Sequence, residues 1–88
     1  MRLHDGRLLL TYGSRVKGQY GVLAKMSRDE GRTWSRPVRL VKTLHPDCGY
    51  PSSVQRDDNM IVTAYYAKKS TLCDRYHMGV VIWNPSVE

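Results

Sequence analysis

Two histidines and two cysteines are the residues best suited to hold a metal. His45-x-x-Cys48 and Cys73-x-x-x-His77 have spacings seen in zinc sites. The surrounding pattern argues against that use, because His77 falls inside a run that reads as a strand and the two pairs sit in different parts of a repeat. No metal is expected, and free thiols are favoured over a Cys48–Cys73 disulfide. Phosphate-binding glycine loops and hydrolase triads are absent, so no cofactor is expected. The net charge of +6 would suit a polyanion. Lysine and arginine are spread along the chain, however, and no stacking platform of the required pattern accompanies them. Nucleic-acid binding would rest on charge alone; a solvated basic surface explains the charge, and an anionic ligand would benefit from it.

The most structured stretch is Ser27-Arg28-Asp29-Glu30-Gly31-Arg32-Thr33-Trp34. Each fixed position has a job in a tight β-hairpin. The Asp29 carboxylate can fold back onto backbone N–H groups of the turn. Gly31 can take a positive φ at little steric cost. Thr33 and Trp34 begin the return strand, and the indole gives a small domain a large apolar anchor, expected to be buried.

The elements that would carry these residues are all strands. Arg7–Tyr12, Tyr20–Met26, Val38–Val41, Ser52–Gln55, Met60–Tyr66 and Arg75–Trp83 alternate or run apolar, with Val22, Ala24 and Met26 on one face. Asp5-Gly6 and Asp57-Asp58-Asn59 read as turns, and Gly13–Gln19, Thr43–Pro51 and Ala67–Asp74 as loops. No segment has a cap followed by helical apolar spacing. The chain is expected to be all-β. No ~18-residue apolar run that could span a membrane is present, nor an amino terminus of the secretory type. A chain of 88 residues buries only roughly 60–65% of its unfolded surface, and two cysteines make no disulfide scaffold.

The two halves repeat. Asp5–Tyr12 lies over Asp58–Tyr65 at an offset of 53, and Tyr20–Ala24 over Met78–Ile82 at an offset of 58. A unit of roughly 40–50 residues built from four strands is the signature of a propeller blade. Residues 1–43 form one unit carrying the Ser27–Trp34 turn. Residues 44–88 form the next, with Pro85 where Ser27 stands in the first, so the second turn motif is missing.

The Ser27–Trp34 motif resembles the Asp box, or bacterial neuraminidase repeat, of the sialidase-like six-bladed β-propellers. Arg2–Tyr12 and Gly49–Gln55 are similar to segments of the last two blades of that family. The resemblance covers nearly the whole chain, to the extent of about two blades. It implies antiparallel four-stranded meanders and an ancestry in hydrolysis of sialic-acid-type glycans.

In that family a tyrosine nucleophile, helped by a glutamate, attacks the anomeric carbon, while arginines hold the sugar carboxylate through parallel hydrogen bonds. The resemblance places Tyr50, in Gly49-Tyr50-Pro51-Ser52, at the nucleophile. A ring that merely closes the central channel is the competing reading. For the carboxylate clamp, Arg15 is the nearest arginine, although strict alignment to the box puts Gln19 there. The family's Tyr-Glu after the second strand is here Tyr65-Tyr66. The chain's glutamates are Glu30, in the box turn, and Glu88. An unassisted phenol, ionising near ~10, is a poor nucleophile. The expected outcome is a glycan-related module without turnover, the alternative being a self-assembling binding or structural unit. Val22, Leu23, Val80, Val81 and Ile82, with Leu8 to Leu10 and Ile61, exceed what so small a pair of sheets can hide. The bare faces call for missing blades or a homo-oligomer, three chains making six blades.

Overall fold

The computed structural model describes residues 1–45, 47–68 and 75–86. Among them there is no helix. Six strands form two antiparallel meanders: β1 (Leu8–Ser14), β2 (Gly21–Ser27) and β3 (Val38–Lys42) in one sheet, β4 (Cys48–Gln55), β5 (Ile61–Ala67) and β6 (His77–Trp83) in the other. The fold is all-β, with three strands in each sheet.

The inner face of the first sheet is built as the alternation predicts. Val22, Ala24 and Met26 are buried together with Leu9. They meet Ile61, Tyr65, Ala67 and Trp83 of the second sheet, and Leu40 and Val81 fill in from the strands alongside. Odd-numbered residues of β5 point inward and even-numbered ones outward. A two-residue period therefore decides which half of each strand leaves water. Burying Ile61 fully stabilises the fold by roughly 1.5–3 kcal/mol. Thr63, a polar strand residue fully inside, accepts a hydrogen bond from the Trp83 indole N–H at 3.0 Å.

The amino-terminal turn ties the two sheets together. Arg2 bridges Leu8, and the Asp5-Gly6 turn between them is closed by Leu3 N–H donating to the Arg7 carbonyl at 2.8 Å. Arg7 is buried. Its guanidinium donates to Asp5 at 2.8 Å and, from Nη1, to the carbonyl of Pro85 at 2.9 Å. Pro85, which the sequence overlay sets against the box serine, thus receives the first repeat's arginine, while the strand pairing sets Trp83 against Ser27.

Three expectations are corrected. Thr43–Pro51 is a loop only at its start. Strand β4 begins at Cys48, and its pairing with β5 is interrupted between Gly49 and Ser52 by an irregularity that hides the strand from a period-two pattern. The repeat offset also differs: Ala24 faces Thr11 as Val80 faces Ala64, so β2 and β6 correspond at 56, two fewer than the sequence overlay. A shift of two keeps every side chain on its face. Finally, Trp34 is 40% exposed. Its ring lies near the box's own turn, with Cζ2 3.7 Å from where a Cβ on Gly31 would sit. No regular strand follows it before Val38 to carry it inward.

The box turn itself forms as its residue types dictate. Ser27 is buried, donates its hydroxyl to Asp29 at 2.8 Å and accepts the Gly31 N–H at 2.8 Å. Asp29 accepts both the Thr33 N–H at 2.8 Å and the Thr33 hydroxyl at 2.6 Å. Glu30 and Gly31 take φ values of 63° and 87°, which lets the chain reverse within the motif. Strands β2 and β3 flank it as an antiparallel pair.

Candidate functional site

The site begins with a close approach of two backbones. A Cβ on Gly13, in β1, would lie 2.8 Å from both the Cys48 carbonyl and the Gly49 Cα. Only glycine lets β1 and β4 touch there. Gly49 follows with φ 120° and Tyr50 with φ 43°, and this twist turns the Tyr50 side chain out of the sheet. The left-handed region is uncommon for a bulky residue. Such strain tends to persist at ligand-binding positions. Tyr50 is 82% exposed, while Cys48 beneath it is a buried free thiol directed at the carbonyls of Ser14 and Gly21.

The exposed ring is not isolated. Tyr50 stacks on Tyr66, with ring centroids 5.5 Å apart and planes inclined by 19°. The Tyr66 hydroxyl donates to Asp47 Oδ1 at 2.5 Å, and the Tyr76 hydroxyl donates to Oδ2 of the same carboxylate. Asp47 is held by its own neighbours: its N–H donates to His45 Nδ1 at 3.0 Å, and its carbonyl accepts the Lys68 N–H at 3.0 Å. The Lys68 ammonium lies 5.6 Å from the centre of the Tyr76 ring, a cation–π distance. Three tyrosines and one aspartate make a polar-rimmed aromatic surface.

The electrostatics follow from those bonds. The Tyr66 hydroxyl, then that of Tyr76, holds the Asp47 carboxyl below its ordinary range. In return, the Asp47 hydrogen bond pushes the Tyr66 phenol up to about 12 and raises that of Tyr76. The phenol is made harder to ionise and the carboxylate harder to protonate. Neither group is poised for proton transfer near neutral pH. The arrangement is suited to holding a ligand.

Arg15, in the loop after β1, lines a recess of about 330 Å³ with Gly13, Cys48, Tyr50 and Pro51. Its charge is felt by both Asp47 and Tyr66. The structure thus brings Tyr50 and Arg15 together. Gln19, the other residue proposed for the clamp, is exposed, donates its N–H to the Val16 carbonyl at 2.8 Å and is not part of this recess. The box residues Ser27, Asp29, Gly31, Thr33 and Trp34 form a turn of their own and line no part of it either. Glu30 is paired with Arg2 through bonds of 2.7 and 3.0 Å. Glu88 and Cys73 lie outside the described residues.

Among the described residues no group of three His, Cys, Asp or Glu side chains could hold a metal ion. His45 is engaged with the Asp47 N–H, and His77 Nδ1 lies 2.6 Å from the Arg75 carbonyl. A second recess of about 340 Å³ lies between the Asp5-Gly6 turn and Asn84-Pro85. Its arginine, Arg7, is already bound to Asp5 and Pro85.

Sequence reasoning missed Asp47 and Tyr76 and read Tyr66 only as a replaced glutamate. Tyr66 could have been found, because its even number puts it on the outward face of β5 beside Tyr50's strand. Asp47 bonds partners 19 and 29 residues away, and no spacing rule connects them. No protein-family model, curated protein or solved structure matches this chain.

Proposed function

We propose that the chain is two adjoining blades of a sialidase-like propeller whose Tyr50 recess binds an acidic glycan without cleaving it. The observation that carries this reading is Tyr50 itself: a bulky residue at positive φ, 82% exposed, stacked on Tyr66 and sharing a recess with Arg15. A tyrosine ring offers an apolar face to a sugar and a hydroxyl at its edge. A guanidinium matches a sugar carboxylate with parallel hydrogen bonds. Two meanders packed face to face, with an Asp-box turn on the first, support the blade reading. Trp34 bears the other way, since it lacks the cover a neighbouring sheet would give.

Hydrolysis is not part of the proposal. The resemblance matches Tyr50 to the family's nucleophile, but Asp47 is turned to Tyr66 and Tyr76 and Glu30 to Arg2. A phenol without an adjacent general base is a poor nucleophile.

Titration with N-acetylneuraminic acid and with neutral galactose, followed by NMR of the tyrosine rings, tests the reading. The acidic sugar should perturb Tyr50 and Tyr66, lose its effect in Tyr50→Ala and weaken in Arg15→Gln. An aryl sialoside should release no aglycone. Equal response to both sugars, or none to either, removes the acidic-glycan reading. Turnover that disappears in Tyr50→Phe overturns the non-catalytic one.

A further inference from the structure

The strand pairings of the two sheets correspond, and that correspondence exposes an interface used once and left open once. In the first sheet the cross-strand pairs Leu9–Met26, Thr11–Ala24 and Gly13–Val22 form the face that packs against the second sheet. The corresponding pairs of the second sheet are Val62–Ile82, Ala64–Val80 and Tyr66–Met78. Ala24 and Val22 are 0% exposed, whereas Val80 and Ile82 are 64% and 51% exposed. The same face of the repeat is therefore covered in one copy and bare in the other. The converse holds on the other side. Ile61, Thr63 and Tyr65 are buried against the first sheet, while their counterparts Leu8, Leu10 and Tyr12 face outward, with Leu10 exposed.

The geometry points to a head-to-tail interface between copies of this chain: the outer face of β4–β6 in one copy receives the outer face of β1–β3 in the next. The chain already demonstrates this docking internally, since the face of its first sheet holds the opposite face of its second. A second copy presents to the open face a repeat whose Leu8, Leu10 and Tyr12 stand where Ile61, Thr63 and Tyr65 stand now. The open face carries no charge in its paired rows, only Val54, Val62, Ala64, Tyr66, Val80, Ile82 and Met78 beside Ser52 and Gly49. Contiguous apolar surface of this kind on a small domain marks an interaction site. Because the two faces differ, the contact is heterologous, and it closes into a ring when the rotation per copy allows. This inference is independent of glycan binding, although Tyr66 places the site at the border of the docking face.

Sedimentation equilibrium on the full 88-residue chain from micromolar concentration upward tests it. The wild-type chain should have a mass of several copies. Val80→Glu and Leu10→Glu each spoil one face at an exposed position, so circular dichroism should report the native sheet in both. Each variant alone should be a monomer. Mixed one to one, they should form a dimer and nothing larger, because only the intact face of each can meet the other. A wild-type monomer throughout the range overturns the proposal and leaves the open face to further sheets of a longer chain. A Leu10→Glu variant that still dimerises by itself also overturns it, showing like faces meeting like. So does a large aggregate that neither substitution dissolves.

Discussion

The Ser27–Trp34 turn and the Asp47 cluster solve one problem in two ways. In each, a carboxylate collects hydroxyl donors. Asp29 takes those of Ser27 and Thr33, within four residues of itself. Asp47 takes those of Tyr66 and Tyr76, brought from two other parts of the second sheet. The box also binds backbone, since Gly31 N–H and Thr33 N–H donate into it, and so it fixes the path of the chain. The tyrosine cluster fixes only side chains at the surface. Local carboxylate networks build the scaffold, and long-range ones furnish a surface for something else to touch.

The largest difference between the two regions should appear on deleting one hydroxyl from each. Ser27 is buried, and Ser27→Ala leaves the Gly31 N–H without its acceptor. The expected cost is about 1–3 kcal/mol in a denaturant melt. Tyr66→Phe, at a half-exposed position, should cost distinctly less. Equal losses would show that the cluster is as structural as the box.

Acid separates the regions next. The Thr33 hydroxyl, then the Thr33 N–H, lowers the Asp29 carboxyl from 3.8 to about 2 in the folded chain. A depressed folded value means stability that is present above the unfolded value and lost as pH falls through the folded one. Stability should therefore decline between pH ~4 and ~2, and Asp29→Asn should flatten that decline. Asp47 is lowered as well, so Asp47→Asn should remove a further part of the slope. If only Asp47→Asn flattens the curve, the box is not the acid-sensitive element.

Alkali gives the smallest effect and reports on the cluster alone. The Asp47 carboxylate raises the Tyr66 phenol from 10.0 to about 12, so the fold favours its neutral form. That contribution is whole below the unfolded value and lost as pH rises through the folded one. In a phenolate absorbance titration Tyr66 should ionise late, and Asp47→Asn should return it toward the ordinary range near ~10. Tyr66→Phe should delete the late step. An unchanged curve in Asp47→Asn would mean that the carboxylate does not hold the phenol.

The sequence by itself determined what depends on neighbours along the chain. Each of the six strands was legible because residues two apart share a face and the apolar ones cannot all face water. The box was legible because its donors, acceptor and glycine lie within eight residues. The register of β2 against β1 was not, since two residues of sliding leave the inside–outside pattern unchanged. The start of β4 was hidden because its ladder breaks between Gly49 and Ser52. Tertiary structure alone decided that Trp34 stays partly exposed, that Gly13 meets Gly49, and that Asp47 gathers Tyr66 and Tyr76 beside Tyr50. At Gly13 and Gly49 the two strands approach so closely that no Cβ fits between them. That proximity depends on how two sheets pack, and no spacing within one strand encodes it.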